Sequence, residues 1–189
     1  KNEALSFSGS SNIFAEEYIE NARHIEVQML GDGEKCVHFF ERDCSLQRNF
    51  QKIIEITPAP NLKQSTKDLI YRYASEICDE VSLKGLATVE FLLNKEQKIF
   101  FIEVNPRIQV EHTITEELAR VDLVRAHINI FSGLKLKDLK LKTAFKLGNR
   151  ASIQARINME EYDANNNLLP GLGIIQEYNI VSGPGLRFD

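Results

Sequence analysis

Between Phe100 and Glu111 the chain reads Phe-Phe-Ile-Glu-Val-Asn-Pro-Arg-Ile-Gln-Val-Glu, and at a spacing of two it separates into two rows. Glu103, Asn105, Arg107, Gln109 and Glu111 make the polar row, and Ile102, Val104, Pro106, Ile108 and Val110 the apolar one. Such alternation predicts an extended segment with its apolar face on a core. The polar face fits solvent or a site. Two acids, two amides and a guanidinium are long or forked groups suited to gripping an anion or a cation. Upstream, Leu86–Leu93 is a second strand-like run, joined by the polar turn Asn94–Lys98. A hairpin in which Leu93 faces Phe100 sets Glu90 opposite Glu103. Two carboxylates placed so repel, and a hard divalent cation between them removes the repulsion. Oxygen-only ligands suit magnesium, with substrate phosphates completing its shell and Asn105 adding an amide oxygen. A slipped register would instead send both acids to solvent. The first arrangement predicts phosphoryl transfer.

Several elements must position these groups. Arg23–Leu30 alternates, with Ile25, Val27 and Met29 inward; Gly31–Glu34 is a turn signal, and Cys36–Phe40 returns as a hairpin. Glu41–Arg48 is densely polar and predicts a break in that strand; Gln51–Ile56 resumes it, and Thr57-Pro-Ala-Pro60 stops it because proline cannot donate to a ladder. Ser65 or Thr66 caps a helix to about Val81, with a buried stripe of Leu69, Ile70, Tyr73, Ile77 and Val81 and with Cys78 packed as a small hydrophobe. Thr113-Ile-Thr-Glu116 matches a capping box. The helical region it opens runs through Val121, Val124, Ile128 and Phe131 to Gly133, divided near Arg120 and Asp122. Leu134–Asn149 is a basic connector. Ser152–Asn158 alternates, Asn165–Asn167 is a loop, and Gly173–Tyr178 and Gly185–Phe188 read as short strands. Local pattern alone makes His24 a surface histidine.

Of the 189 residues 43% are hydrophobic, enough for a core in one domain with a small appendage. The formal net charge of −4 gives no electrostatic case for nucleic acid, and no apolar run is long enough to cross a bilayer. Three cysteines without CxxC spacing fit a reducing compartment. The chain begins without Met and stops inside an alternating run, so both ends read as cut.

Glu41-Arg-Asp-Cys-Ser-Leu-Gln-Arg-Asn-Phe-Gln-Lys-Ile-Ile-Glu-Ile-Thr-Pro-Ala-Pro60 and Phe101-Ile-Glu-Val-Asn-Pro-Arg-Ile-Gln-Val-Glu-His-Thr-Ile-Thr-Glu116 together resemble the biotin carboxylase component of biotin-dependent carboxylases, in the ATP-grasp superfamily. The resemblance extends nearly from Phe14 to Asp189. It implies an α+β fold: an ATP-grasp-type mixed or antiparallel sheet with flanking helices, then the start of a C-terminal β subdomain. Residues 1–40 would end the lid and hinge, 41–135 form the core, and 136–189 begin the truncated subdomain. The N-terminal domain and glycine-rich lid loop would precede Lys1, which leaves this fragment inactive alone.

The activity implied is ATP-dependent carboxylation of biotin with bicarbonate, through carboxyphosphate. Glu90 and Glu103 would hold magnesium (or manganese) on ATP phosphates with help from Asn105. Arg107, Gln109 and Val110 would cradle bicarbonate, Lys52 would add positive charge, and Glu111 would be the base. Arg187 would stabilise the biotin enolate. Glu16, Glu17 and Ile19 would line the adenine end, and His24 and Gln47 the ribose, which overrides the local reading of His24. Glu26 and Arg42 would support the site through ion pairs or form ordinary surface salt bridges, and Cys44 would be structural. Two departures stand out: Phe50 replaces a common histidine, leaving an ATP contact missing or replaced by packing, and Glu17 replaces a common lysine. Implied partners are a biotin carboxyl carrier, a carboxyltransferase and a second copy in a homodimer, in the cytoplasm or the mitochondrial matrix. Rival readings are another ATP-grasp ligase, a silent assembly or regulatory fragment, and an interaction module on the helix from Thr66.

Overall fold

The computed structural model describes residues 9, 12–141, 150–166 and 168–189. They form two compact units, Lys1–Ala155 and Arg156–Asp189. In the first unit, six strands make one sheet: β1 (Arg23–Asp32), β2 (Cys36–Arg48), β3 (Gln51–Thr57), β4 (Lys84–Leu93), β5 (Ile99–Asn105) and β6 (Ser152–Ala155). Their order is β5-β4-β1-β2-β3-β6, and every pairing is antiparallel. Three helices flank it: α1 (Gln64–Glu80), α2 (His112–Ala119) and α3 (Leu123–Phe131).

The central strand explains the layout. From Ile25 to Leu30 every residue of β1 is at most 1% exposed, so both faces are covered. Ile25, Val27 and Met29 join Val89, Phe91 and Leu93 of β4 beneath Ile70, Ala74 and Cys78 of α1. On the opposite face Leu30 and Leu86 meet Leu123, Ala126 and Ile130 of α3. That second apolar cluster covers one end of the face only. The other end carries Glu26, Gln28, Thr88 and Glu90, all buried. Buried polar groups persist only where they are paired, so this half of the face needs its own partners.

Several expectations change. The β4–β5 hairpin closes with Leu93 opposite Ile99, not Phe100, and a bulge after Phe91 then restores Glu90 opposite Glu103. The strand stops at Asn105, and Ile102, Ile108 and Val110 are 40%, 39% and 60% exposed. β5 is a sheet edge, and Pro106 cannot extend its ladder, so of the apolar row only Val104 packs against the core. β2 runs unbroken through Glu41–Arg48, its polar residues accommodated by register shifts. Helix α1 begins after Lys63 without a side-chain cap and buries Thr66, Ile70, Ala74 and Cys78; Leu69 and Val81 are exposed, and Tyr73 and Ile77 only flank the core. The Thr113–Glu116 box does not form, because Glu111 is the N-cap and Thr113 lies inside α2. Glu116 instead accepts from the Leu123 amide at 2.6 Å, across the break. That break is as expected: Arg120 is left-handed at φ 53° and Asp122 caps α3. The buried stripe of α3 is Leu123, Ala126 and Ile130, while Val124, Ile128 and Phe131 face outward.

The second unit holds a hairpin of β7 (Glu160–Tyr162) and β8 (Leu168–Pro170). No strand forms at 173–178 or 185–188. Alternation makes a strand only where a neighbour takes up the backbone hydrogen bonds, and Ile174 and Ile175 there are 90% and 70% exposed. Much of the connector, residues 142–149, and Asn167 of the expected loop lie outside the described residues.

Gly31 lets β1 pass the Leu83 carbonyl. A Cβ there would lie 2.1 Å from that backbone oxygen, which cannot rotate away. Gly31→Ala is therefore expected to cost about 1–3 kcal/mol, read as a lowered denaturation midpoint. An unchanged midpoint would show that the two strands separate freely.

Candidate active site

Antiparallel register places four charged side chains abreast. Glu103 pairs with Glu90, Glu90 with Glu26, and Glu26 with Arg42, across β5, β4, β1 and β2. Three neighbouring acids repel one another unless cations intervene. Two intervene from the protein. Arg42, wholly buried, donates Nε to Glu26 at 2.6 Å, Nη1 to Gln28 at 2.8 Å and to Thr115 at 2.9 Å, and Nη2 to Thr88 at 3.3 Å. Lys52, carried on β3, donates Nζ to Glu26 at 2.5 Å, Glu111 at 2.7 Å and Glu90 at 3.1 Å.

Around this core the remaining groups converge on Glu90. Its Oε1 also accepts from Asn105 and from Gln109, both at 3.0 Å, and its Oε2 contacts His24 Nε2 at 2.5 Å. Asn105 Nδ2 reaches Glu103 as well, at 2.8 Å, so one amide bridges both acids. Gln47 Nε2 lies 2.7 Å from His24 Nδ1, and with that nitrogen accepting, the ring's Nε2–H faces Glu90. The side-chain oxygen of buried Gln109 has no hydrogen-bond partner among the described residues.

Burial alone would raise the Glu90 carboxyl, but the His24 hydrogen bond and the Lys52 charge hold it far below the ordinary range. Burial opposes ionisation of Glu111 too, and Lys52 again outweighs it. Lys52 is pushed down by burial and more strongly up by Glu26 and Glu111. All three are charged at neutral pH. A depressed carboxyl stabilises the fold fully above its unfolded value and loses that contribution as pH falls through the folded one. Acid unfolding followed by circular dichroism is thus expected to set in below the reference value of 4.5. Glu90→Gln should flatten the dependence there, and an unaltered slope would contradict the pairing.

Of the residues singled out above, His24, Glu26, Arg42, Gln47, Lys52, Glu90, Glu103, Asn105, Gln109 and Glu111 thus meet. Arg107 and Val110 stay exposed at the rim, with Arg107 Nη1 on the Ile108 carbonyl at 3.1 Å. Glu16 and Glu17 are exposed and Ile19 half-buried in an irregular segment before β1. Arg187 belongs to the second unit, where it pairs with Asp189 at 2.8 Å. Phe50 sits at the β2–β3 turn with φ 62° and is 96% exposed. His24 is half-buried in the cluster, against its local reading. Sequence reasoning did not foresee Gln28, Thr88 and Thr115 as supports of Arg42. The available signal was a polar residue at every second position of a strand otherwise as apolar as β1.

A divalent metal fits Glu90, Glu103 and Asn105. The two carboxylates are cross-strand partners joined by one amide, and an amide flip would turn a third oxygen to the same point.

The family model for the carbamoyl-phosphate synthase L chain, ATP binding domain, matches residues 1–139, and the chain belongs to this family. Within it, the chain is homologous to biotin carboxylase domains and pyruvate carboxylases. It is 42% identical over 189 residues to pyruvate carboxylase of Aspergillus niger, covering 99% of this chain and 16% of that protein. With mitochondrial pyruvate carboxylase of Homo sapiens it shares 41% over 188 residues, again 99% and 16%. Among solved structures, the biotin carboxylase domain dimer of Hydrogenobacter thermophilus 2-oxoglutarate carboxylase, in complex with MgADP, ADP and bicarbonate, superposes with a TM-score of 0.82 at 36% identity, over 96% of this chain and 39% of that one. The biotin carboxylase domain of a single-chain bacterial carboxylase gives 0.72 at 42% identity, over 82% and 36%. The sheet with its flanking helices is thus the ATP-grasp biotin carboxylase architecture, and the chain spans 16% of the length of these pyruvate carboxylases.

Proposed function

We propose that these residues carry the ATP-dependent carboxylation of biotin by bicarbonate within a longer biotin-dependent carboxylase. The observation that carries this reading is one ammonium, Lys52, shared by Glu26, Glu90 and Glu111 beside the Glu90–Glu103 pair. Arg107 turns from the Ile108 carbonyl to grip bicarbonate bidentately, with Gln109 and the Val110 amide completing the cradle. As Lys52 moves from the carboxylates to this anion, Glu111 loses the cation that depresses it. Its proton affinity rises when a base is needed. Glu111 takes the bicarbonate proton and a bicarbonate oxygen attacks the γ-phosphorus. ADP leaves, and the resulting carboxyphosphate separates into carbon dioxide and phosphate. Phosphate then removes the ureido proton of biotin, whose nitrogen attacks carbon dioxide.

Magnesium or manganese held by Glu90, Glu103 and Asn105 would offset charge on the transferring phosphoryl group. The adenosine end lies along Glu16, Glu17 and Ile19, with His24 and Gln47 at the ribose. For Arg187 as the stabiliser of the biotin enolate, the resemblance alone stands behind the reading. So it does for residues 1–40 as the end of a lid and 136–189 as the start of a C-terminal subdomain. The partners are a biotin carboxyl carrier, a carboxyltransferase and a second copy of the carboxylase domain. The compartment is the cytoplasm or, as the names of mitochondrial relatives support, the mitochondrial matrix.

The full-length protein is expected to cleave ATP only when bicarbonate is present, and faster when free biotin is added. Cleavage driven equally well by another carboxylate would replace the reading with a different ligase.

A further inference from the structure

The position held by the Lys52 ammonium is lined by more than carboxylates. Ligating atoms of Glu26, Cys44 and Glu111 lie within 4.8 Å of one another, and so do those of His24, Glu26 and Glu90. Cys44 is fully buried and free of any disulfide. The carboxylation chemistry leaves this thiol without a task, and magnesium, which takes oxygen ligands, has no use for it. Zinc does.

We propose that Glu26, Cys44 and Glu111 form a binding site for Zn2+ or a similarly thiophilic divalent ion, which takes the place of the Lys52 ammonium. A cation already sits there, bonded to Glu26 at 2.5 Å and to Glu111 at 2.7 Å. Zinc binds thiolate at about 2.3 Å and carboxylate at about 2.0–2.2 Å, which spaces tetrahedral ligands roughly 3.5 Å apart. Closing from separations of up to 4.8 Å to that spacing takes at most about 1.3 Å, within reach of side-chain rotation. The Lys52 side chain is 13% exposed, which gives the ammonium a way out. On binding, the sulfur–hydrogen bond breaks, sulfur's electron pair goes to the metal and the proton to solvent. Burial and the charge of Glu26 hold the free thiol protonated, so the proton leaves to solvent only as the ion binds sulfur. With Lys52 displaced and Glu111 coordinated, the ion is an inhibitor of any chemistry that uses them. The site stands on its donor atoms and is independent of the carboxylation reading.

Cobalt(II) titration of the full-length protein tests this without an activity assay. Wild type minus Cys44→Ser is expected to show a sulfur-to-cobalt charge-transfer band corresponding to one ion per chain. Zinc should abolish the band, and excess magnesium should not. Cys44→Ala should behave as Cys44→Ser does. Lys52→Met, which removes the competing cation and keeps the thiol, should bind cobalt at least tenfold more tightly. A missing band, the same band in both Cys44 variants, or unchanged or weaker cobalt binding in Lys52→Met would each overturn the site. If neither Cys44 variant folds, the Lys52→Met comparison alone decides.

Discussion

Replacing Lys52 with Met is expected to lower bicarbonate-dependent ATP cleavage by the full-length protein about 10²–10³-fold, the usual cost of removing one preorganised electrostatic group. The size follows from position. One ammonium, that of Lys52, touches Glu26, Glu90 and Glu111 together. Without it the proposed bicarbonate subsite loses a positive charge, and three neighbouring carboxylates face one another. Glu90 and Glu111 lose a charge that holds their carboxyls low, so their proton affinity rises. The variant's pH–rate profile should accordingly shift its acid limb upward. Lys52→Arg keeps the charge but not the compact geometry and should recover only part of the rate. A Lys52→Met enzyme with a near-normal rate and an unmoved acid limb would show that the shared ammonium is a structural tie.

Arg42→Met should be the most destabilising single change at the site. It leaves Glu26 buried with one cation fewer and strips Gln28, Thr88 and Thr115 of their common donor. Removing one member of a buried ion pair costs about 3–5 kcal/mol, and the remaining Lys52 contact puts this case near the lower figure. The loss also reaches the catalytic geometry. Thr115 lies in α2, whose N-cap is Glu111, so the guanidinium helps hold the proposed base in register. Urea denaturation should show a lower midpoint with an unchanged slope. Arg42→Lys, which keeps charge but cannot span the same acceptors, should fall between. Wild-type stability in Arg42→Met would mean that methionine's packing replaces every one of those bonds.

What the sequence allowed one to read divides by distance along the chain. Glu90 and Glu103 are joined by a short turn, so alternation brings them face to face, though the turn closes one residue off the assumed register and a bulge between Glu90 and Phe91 restores it. Glu26 is separated from both partners by unrelated elements, and nothing local announces that β1 lies between β2 and β4. The three-acid row was therefore out of reach, although each acid was visible singly. Helix faces were misjudged for a related reason. Periodicity weights large apolar residues such as Leu69 and Val124, whereas the sheet accepts the small Thr66, Ala74 and Ala126 where a helix comes close. The segment after Asn105 reversed its expected sides. Gln109 and Glu111 are buried and Val110 is exposed, because their hydrogen bonds to Glu90 and Lys52 draw the polar groups inward.

The fate of bicarbonate oxygen tests the proposed chemistry most directly. When the full-length protein turns over ATP with oxygen-18-labelled bicarbonate in ordinary water, the phosphate released should carry one labelled oxygen. Attack on the γ-phosphorus fixes that atom before carboxyphosphate breaks down. Phosphate without label would mean that water is the nucleophile, and the assignment of Lys52, Arg107 and Glu111 to bicarbonate would fall.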